Sequence, residues 1–294
     1  MTLQAALDRV GAQIDRDFES LLQIPADARG RLYEAMRYAA IGGGKRIRPM
    51  LVVAACQLFK VDSARAMRVA LAVECIHVYS LIHDDLPSMD DDDLRRGKPT
   101  LHRAYDESTA ILAGDSLHAL AFGILADPAT HEDPFVRVEL IAELAAASGP
   151  AGMAGGQMMD LSAAALGLDL AAVTRLQQLK TGALIGWCVE AGAIMGRASA
   201  EGRIGLRGYA RDVGLAFQIV DDLLDHEGIE EKAGKRVGKD QEAGKQTFVS
   251  LLGPERARQQ AEMLTRQAIE HLHAFGEDAD LLRAVARFAV ERDH

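Results

Sequence analysis

Six aspartates fall within ten positions of this 294-residue chain, in the string DDLPSMDDDD at residues 84–93. They follow an apolar run at residues 75–82, so they lie at the end of a predicted buried helix. Pro87 disfavours continuation of that helix, which predicts that Asp90 folds back towards Asp84. Like charges this close together repel one another unless a cation neutralises them. The pattern fits a Mg²⁺ site that also uses substrate phosphates, and the alternative is a solvated acidic loop.

A second acidic cluster, DDLLD at residues 221–225, ends another apolar stretch at residues 213–220. At 100° per residue, Asp221 and Asp225 lie about 40° apart on one helix face. Two such clusters can face each other across a cavity in a helix bundle, where many metal sites are built. One acidic run alone is unremarkable, but a second in the same context favours a metal site.

Basic residues accompany each acidic cluster. The string GGGKRIRP at residues 42–49 joins a glycine run to three cations in four positions. Glycines let backbone N–H groups approach an anion, and arginine binds phosphate oxygens through two donors. A glycine turn before a helix explains GGGK equally well when it is taken alone. Arg95 and Arg96 follow the first cluster, and Lys235 and Lys245 follow the second, which indicates a metal-bridged diphosphate.

Helical periodicity runs along the whole chain, and no stretch alternates convincingly as a strand would. We therefore predict an all-α fold: a single domain over residues 1–294, with about ten or more helices around a central cavity. A long polar loop is expected at residues 228–244. The predicted helices cover residues 2–22, 30–40, 48–59, 63–85, 107–124, 134–148, 151–165, 170–194, 202–227, 248–273 and 278–291.

The composition restricts the class of protein. Apolar residues make up 49% and charged residues 26%, as in a globular protein with a sizeable core. A net charge of -10 argues against a nucleic-acid surface. Residues 64–83 come nearest to a membrane span, but Arg65, Arg68 and Glu74 interrupt them, so we predict a buried helix and no span. With no evident signal peptide, the expected location is the cytoplasm.

At this point a family resemblance becomes visible. The string YSLIHDDLPSMDDDDLRRGKPT at residues 79–100 closely resembles the first aspartate-rich motif of bacterial short-chain trans-prenyl diphosphate synthases, closest to the farnesyl diphosphate synthases. The resemblance covers roughly residues 30–290. Ser88 and Leu101 stand where that family often has cysteine, and Ala233 where it often has leucine. Matching motifs follow in order: GGGKRIRP, QMMD at 157–160, KT at 180–181, FQIVDDLLD at 217–225, and the glycine-rich segment at 234–247.

The resemblance implies a prenyltransferase that joins isopentenyl diphosphate to dimethylallyl and geranyl diphosphate by ionisation, condensation and elimination, giving farnesyl diphosphate. It also implies a homodimer and about three Mg²⁺ ions per site. The implied metal ligands are Asp84, Asp85, Asp90, Asp221, Asp222 and Asp225. The implied residues on the allylic diphosphate are Arg95, Lys180, Lys235 and Lys245, with Thr181, Gln218 and the Lys180 carbonyl beside the carbocation. The implied isopentenyl diphosphate pocket is Gly44, Lys45, Arg48, His77 and Arg96.

Two positions on the helix before Asp84 can be interpreted in more than one way. His77 lies two turns before Asp84 and about 20° off its face, so it faces either the pocket or the core. Tyr79 lies about 7.5 Å below Asp84. Our hypothesis is that its ring closes the hydrocarbon tunnel, with Ser80 one layer above. Together with the two-residue widening of the first motif, which places four residues between Asp85 and Asp90, it would stop growth at fifteen carbons. The alternative for Tyr79 is ordinary core packing.

Several different functions compete with this one. A geranylgeranyl or geranyl diphosphate synthase would differ only at the floor of the tunnel. A terpene cyclase would not need a second diphosphate pocket. A non-catalytic subunit of a heteromeric synthase would be expected to lose metal ligands, and both clusters are intact here. A metal-buffering or scaffold protein explains neither the paired cations nor their spacing.

Overall fold

The computed structural model describes residues 2–227 and 245–291, which are almost entirely helical. Over these residues the predicted all-α class is confirmed. The described elements are α1 (Leu3–Leu21), α2 (Gly30–Ala40), α3 (Ile47–Leu58), α4 (Ser63–Asp84), β1 (Leu94–Arg95), β2 (Lys98–Pro99), α5 (Leu101–Ala104), α6 (Glu107–Ala126), α7 (Pro134–Ser148), α8 (Met153–Leu166), α9 (Leu170–Gln177), a π turn (Gln178–Gly182), α10 (Ala183–Met195), α11 (Ala200–Glu227), α12 (Phe248–Leu252), α13 (Pro254–His271), a 3₁₀ helix (His273–Ala279) and α14 (Asp280–Glu291).

The chain divides into two compact units. The first unit contains residues 1–53 and 62–141, and the second contains residues 54–61 and 142–294. Helices α3 and α7 each begin in the first unit and end in the second. A single domain over residues 1–294 stays a prediction.

Helix α4 is the buried centre of the first unit. It begins after Asp62, whose carboxylate accepts the N–H groups of Ala64 and Arg65 and so caps the helix. Residues 69–76 are buried without a break, and α6 packs along the helix. Gly114 of α6 permits this approach, since a Cβ there would lie 2.2 Å from Nε2 of His83. The packed helix thus fixes the position of its last residue, which carries the first aspartate of the motif.

Helices α10 and α11 form the centre of the second unit. Residues 187–195 of α10 are buried throughout. Gly192 lets this helix approach the end of α3 closely, since a Cβ there would lie 2.5 Å from the carbonyl carbon of Ala55. Helix α11 packs against α10 and α13 and carries the second aspartate motif near its C-terminal end. The motif is therefore held on a long, well-supported helix.

Several details of the predicted elements are wrong. The predicted helix at 170–194 is interrupted by the π turn, and the one at 248–273 divides at Gly253, where φ is 80° and Pro254 starts α13. No strand was predicted, yet β1 and β2 form a two-residue antiparallel hairpin, followed by the unpredicted α5. Arg96 and Gly97 form the turn of this hairpin, and both have positive φ, as a type I′ turn requires. Arginine is unusual at such a position, so the usual Asn-Gly signal is missing.

Among the described helices, α4 and α6 are long and apolar enough to cross a membrane by length and composition alone. The most apolar window of α4 is 61% buried inside the protein, and that of α6 is 39% buried. Core helices of soluble proteins meet the same criterion. The predicted absence of a span stays a prediction.

Candidate active site

The first aspartate motif begins at the end of α4 and turns back on itself. Asp84 is the last helical residue, and the N–H of Asp90 donates to its carbonyl oxygen at 2.9 Å. The N–H of Asp92 donates in the same way to the carbonyl oxygen of Asp85 at 3.3 Å. The predicted return of the chain at Pro87 is therefore present. It brings the backbone of Asp90 next to that of Asp84.

The second aspartate of this motif points into the protein and holds Arg95. The Nε of Arg95 lies 2.7 and 2.9 Å from the two carboxylate oxygens of Asp85. Burial raises the pKa of Asp85, and the hydrogen bond and charge of Arg95 offset part of that effect. The sequence grouped Asp85 with the metal ligands. In the structure it anchors an arginine that the family resemblance assigns to diphosphate, whereas Asp84 and Asp90 are only half-buried.

The glycine run before α3 makes room for a second arginine. A Cβ on Gly44 would lie 2.5 Å from Nη2 of Arg96, and one on Gly43 would lie 3.1 Å from its Nη1. The glycines thus allow the guanidinium to lie directly against the backbone. Burial and the neighbouring arginines lower the pKa of Arg96. A cation placed at this cost is suited to an anionic ligand, as the resemblance implied for Gly44 and Arg96.

His77 lies among these cations, not in an apolar core. Burial, followed by the charges of Arg48 and Arg96 and then of Arg95 and Arg46, holds the pKa of His77 well below its usual value. Its imidazole is therefore neutral at pH 7 and can donate a hydrogen bond. The Nε of Arg48 is buried and has no hydrogen-bond partner within the described part of the chain. The first unit thus brings the charges of Arg48 and Arg96 close to His77, and the role of the three residues in binding isopentenyl diphosphate stays a prediction.

Two residues without a predicted role support this pocket. Arg46, the second cation of the glycine string, is buried and donates to Glu74 of α4 at 2.5 Å and to Asp15 of α1 at 2.7 Å. It also donates to the carbonyl oxygen of Ala40 at 2.6 Å. This network ties the glycine loop to α4 between Lys45 and Arg48. In the sequence, this network was indicated only by one glutamate, Glu74, inside an otherwise apolar stretch of helix.

Tyr79 contacts α6 through its ring. The ring of His118 lies 4.9 Å from it, centre to centre, and that of His83 lies 5.4 Å away, both edge to face. Burial raises the pKa of Tyr79. The hydroxyl of Ser80 donates to the carbonyl oxygen of His77 at 2.8 Å, so it is satisfied within its own helix. Tyr79 is thus fixed by aromatic neighbours.

The second motif repeats the arrangement of the first with a different partner. Asp221 and Asp225 are half-buried on α11, and Asp222 between them is buried. The carboxylate of Asp222 accepts the backbone N–H of Phe248, the first residue of α12, at 2.8 Å. Asp222 thus binds the start of that helix, and its role as a metal ligand stays a prediction.

The π turn presents Lys180 and Thr181. Gly156 of α8 permits close packing here, since a Cβ on it would lie 2.2 Å from the backbone nitrogen of Lys180. Helix α11 approaches the turn from another side, where a Cβ on Gly214 would lie 3.3 Å from the Cα of Gly182. Gln218 follows Gly214 by one turn of α11. Lys180 and Thr181 therefore lie on a turn packed against α8 and α11. Their grouping with Gln218 on the allylic side stays a prediction.

Asp160 of α8 binds two of the predicted cations. One of its carboxylate oxygens accepts from Nζ of Lys180 at 2.8 Å and from Nζ of Lys245 at 2.9 Å. Asp160 belongs to one of the motifs that carry the family resemblance, but no role was predicted for it. The other predicted lysine, Lys235, lies outside the described residues.

The carboxylates that could hold a metal ion belong to both units. Asp84 and Asp90 are in the first, and Asp221 and Asp225 are in the second. That the two pairs face each other across a cavity stays a prediction. Within residues 2–227 and 245–291, no three acidic, histidine or cysteine side chains could hold a metal ion on their own. Mg²⁺ needs only one or two carboxylates when substrate phosphates complete its shell, so the carboxylates of either pair suit Mg²⁺ bound with a diphosphate.

Comparison with known proteins identifies the family. The profile of the polyprenyl synthetase family matches residues 29–287. The chain belongs to the polyprenyl synthetase family. Farnesyl diphosphate synthase of Escherichia coli (strain K12) is 48% identical to it over 267 residues, covering 88% of this chain and 89% of that protein. Geranylgeranyl pyrophosphate synthase 11 of Arabidopsis thaliana is 45% identical over 268 residues, covering 87% and 73%. The crystal structure of an FPP/GFPP synthase from Zymomonas mobilis matches with a TM-score of 0.90 and 57% identity over 98% of both chains.

This polyprenyl synthetase is a trans-prenyltransferase with the isoprenoid synthase fold. The family, the fold class and the enzyme class inferred from the sequence are confirmed. The relatives nevertheless carry names of different products at similar identity, so the family alone does not specify the product. What distinguishes one product from another must lie in particular side chains.

Proposed function

We propose that this prenyltransferase adds isopentenyl diphosphate to dimethylallyl diphosphate and then to geranyl diphosphate, and releases farnesyl diphosphate. The observation that carries the proposal is the position of His77. It is a neutral imidazole among four arginines, on the same helix as Asp84 and two turns before it. A cationic pocket next to a carboxylate pair suits two substrates: one diphosphate bound by arginines, the other bound through metal.

The chain's own residues can support each step of this reaction. Breaking the allylic C–O bond transfers its electron pair to the departing diphosphate, whose growing charge Arg95, Lys180 and Lys245 would stabilise. Bound Mg²⁺, held by Asp84, Asp90, Asp221 and Asp225 in about three sites, would supply further charge neutralisation. The number of ions rests on the family resemblance.

The second substrate then supplies the new bond. Arg48, Arg96 and His77 would hold isopentenyl diphosphate so that its double bond attacks the allylic carbon. Thr181, Gln218 and the Lys180 carbonyl would lie beside the cation, as the resemblance implies. A proton lost to the departed diphosphate restores the double bond, so no side-chain base is required.

Farnesyl diphosphate is proposed as the product because of Tyr79. Its ring lies on the predicted path of the hydrocarbon tail, and His118 and His83 pack against it edge to face. A rigid ring would stop chain growth more sharply than a mobile one. Geranylgeranyl diphosphate is the second candidate, favoured by the 45% identity to the Arabidopsis enzyme. We rank a geranyl diphosphate synthase and a non-catalytic subunit of a heteromeric synthase below these two.

We also propose that the enzyme is a homodimer in the cytoplasm. Helix α6 supports the dimer, because Ile111 and Leu112 on it are exposed by 43% and 56% in the isolated chain. Neighbouring apolar side chains of this size on a helix often mark an interface. Analytical ultracentrifugation of the protein, with Leu112→Glu as the comparison, would measure the association state.

Product analysis tests the whole proposal. Purified protein is incubated with dimethylallyl diphosphate, isopentenyl diphosphate and Mg²⁺, and the dephosphorylated products are separated by chromatography. We expect the fifteen-carbon alcohol. A twenty-carbon or ten-carbon product would replace the proposed product, and no product at all would indicate a non-catalytic subunit. Excess EDTA should abolish turnover, and activity that persists in EDTA would overturn the magnesium mechanism.

A further inference from the structure

Asp160 links two lysines that come from different parts of the second unit. It lies on α8, Lys180 lies on the π turn, and Lys245 lies three residues before α12. Both ammonium groups donate to the same oxygen, Oδ2, at 2.8 and 2.9 Å. We propose that Asp160 is a positioning residue that holds Lys180 and Lys245 together so that both bind one diphosphate. This inference rests on the proposed function.

The three groups are shielded from solvent. The side chains of Asp160, Lys180 and Lys245 are 13%, 25% and 20% exposed. Two ammonium groups that share one oxygen at these distances lie less than about 6 Å apart, where like charges in a partly buried site repel strongly. Without the carboxylate, the flexible lysine side chains would separate. The shared partner is therefore what keeps two cations in one place.

The charge balance favours an anionic ligand. The three groups themselves, one carboxylate and two ammonium groups, sum to a net charge of +1, which attracts a negative group. Each ammonium has three N–H donors, so its bond to Asp160 does not exhaust its capacity to donate. Burial alone would raise the pKa of Asp160, but the two lysines more than offset it, and the pKa lies below its usual value. The carboxylate therefore stays ionised while the lysines present positive charge to phosphate oxygens.

The backbone around Asp160 is suited to positioning. Gly156 lies one turn before Asp160 on the same face of α8. At Gly156 the helix touches the backbone of Lys180, where a Cβ would come within 2.2 Å of the lysine nitrogen. Helix α8 is thus fixed against the π turn, and Asp160 is presented to Lys180 by packed backbone. Small displacements of catalytic cations cost rate, so this rigidity has a function.

Asp160→Asn keeps the shape of the side chain and removes its charge. We expect kcat to fall about thirtyfold or more, because the lysines that stabilise the leaving diphosphate are no longer held, with the KM for isopentenyl diphosphate changed less than about threefold. Asp160→Glu keeps the charge and should recover part of the lost kcat. The matched control is Glu190→Gln, another buried carboxylate that binds two cations, Arg203 and Arg207. It should keep kcat within about threefold of the wild type.

A mutant cycle separates positioning from a structural role. If Asp160 acts through the lysines, Asp160→Asn should reduce kcat by less than about threefold in a Lys180→Gln, Lys245→Gln background. If it only supports the fold, the reduction should be as large there as in the wild type. Should Asp160→Asn fail to fold, the same comparison is made with Asp160→Glu. If Asp160→Asn lowers kcat as much in the Lys180→Gln, Lys245→Gln background as in the wild type, the proposal is overturned.

Binding of Mg²⁺ with inorganic pyrophosphate provides a measurement that does not require turnover. We expect this pair to raise the Tm of the wild type and of Glu190→Gln, and to raise that of Asp160→Asn by less than half as much. Equal shifts in all three proteins would overturn the role of Asp160. If the wild type shows the Tm shift but forms no prenyl product, the proposed function fails while the positioning role stands.

Discussion

The two aspartate motifs lie in different units and share one arrangement, but they differ in what the buried aspartate holds. Each motif follows an apolar stretch near the end of a long helix, and in each the first aspartate, Asp84 or Asp221, is half-buried while the second is buried. Asp85 holds the guanidinium of Arg95, a charged group predicted to bind substrate. Asp222 accepts the backbone N–H of Phe248, the first residue of α12.

This difference shows that adjacent aspartates need not share a role. Two neighbouring residues on a helix point in directions about 100° apart. When one aspartate of a pair faces a ligand, the other therefore faces away from it and can bind a different partner. In the first unit the buried aspartate binds a charged side chain, and in the second it binds a backbone N–H at the start of a helix. The comparison predicts a graded set of mutational effects.

The largest effect is expected for the half-buried aspartates. Asp84→Asn and Asp221→Asn should each lower kcat by about a thousandfold, since both would hold metal against the departing diphosphate. Steady-state kinetics with saturating Mg²⁺ measures this. The control is Glu262→Gln on the exposed face of α13, expected to stay within about twofold of the wild type. If either aspartate variant keeps near-normal kcat, the motifs are not equivalent metal sites.

The buried aspartates should differ from each other. Asp85→Asn should lower kcat about thirtyfold, because Arg95 loses the charge that orients it. Asp222→Asn should change kcat less than about threefold and lower the free energy of unfolding by about 1 kcal/mol, because it weakens one buried hydrogen bond. Urea unfolding and kinetics on both variants test the difference. A loss in Asp222→Asn as severe as in Asp221→Asn would make Asp222 a metal ligand after all.

The sequence was sufficient for the features that depend on local pattern. Periodicity located the long helices, and Pro87 located the return of the chain to Asp84. It could not show which aspartate of each pair turns inward, because that depends on partners such as Arg95 that come from a hairpin after the helix. That hairpin was itself missed, since its turn uses an arginine at positive φ.

Long-range pairs were likewise beyond the sequence. Nothing local indicates that Asp160 meets both Lys180 and Lys245, which lie 20 and 85 residues away along the chain. The same holds for Arg46 and Glu74, 28 residues apart. In the sequence, each of these residues could be recognised only as a charged residue in an unusual context. A buried charge in an apolar helix predicts that a partner exists, but not which residue it is.

Product length should depend on the first unit, because the Tyr79 ring lies below its motif on α4. Tyr79→Ala should lengthen the main product beyond fifteen carbons, and Ser80→Phe should shorten it by filling space nearer the metal. His118→Ala should lengthen it less, because the Tyr79 ring remains but loses the neighbour that contacts it at 4.9 Å. Chromatography of the alcohols measures all three. If Tyr79→Ala still gives only the fifteen-carbon product, Tyr79 is not the floor of the tunnel.

The smallest effect concerns acid pH, where a titratable side chain of the first unit, His77, should differ from one of the second, Asp160. The pKa of His77 lies below its usual value of 6.5, so the unfolded chain binds a proton that the folded protein excludes. Its contribution to stability is therefore lost as pH falls below 6.5, by up to about 1.4 kcal/mol per pH unit. The pKa of Asp160 is also lowered, but from 3.8, so its contribution to stability is lost only in stronger acid.

Urea unfolding at pH 7.5 and 5.5 measures the stability that is lost in acid. This loss should be smaller in His77→Gln than in the wild type, whereas the exposed control His273→Gln should match the wild type. An equal acid loss in His77→Gln would mean that His77 is not held neutral by the arginines around it.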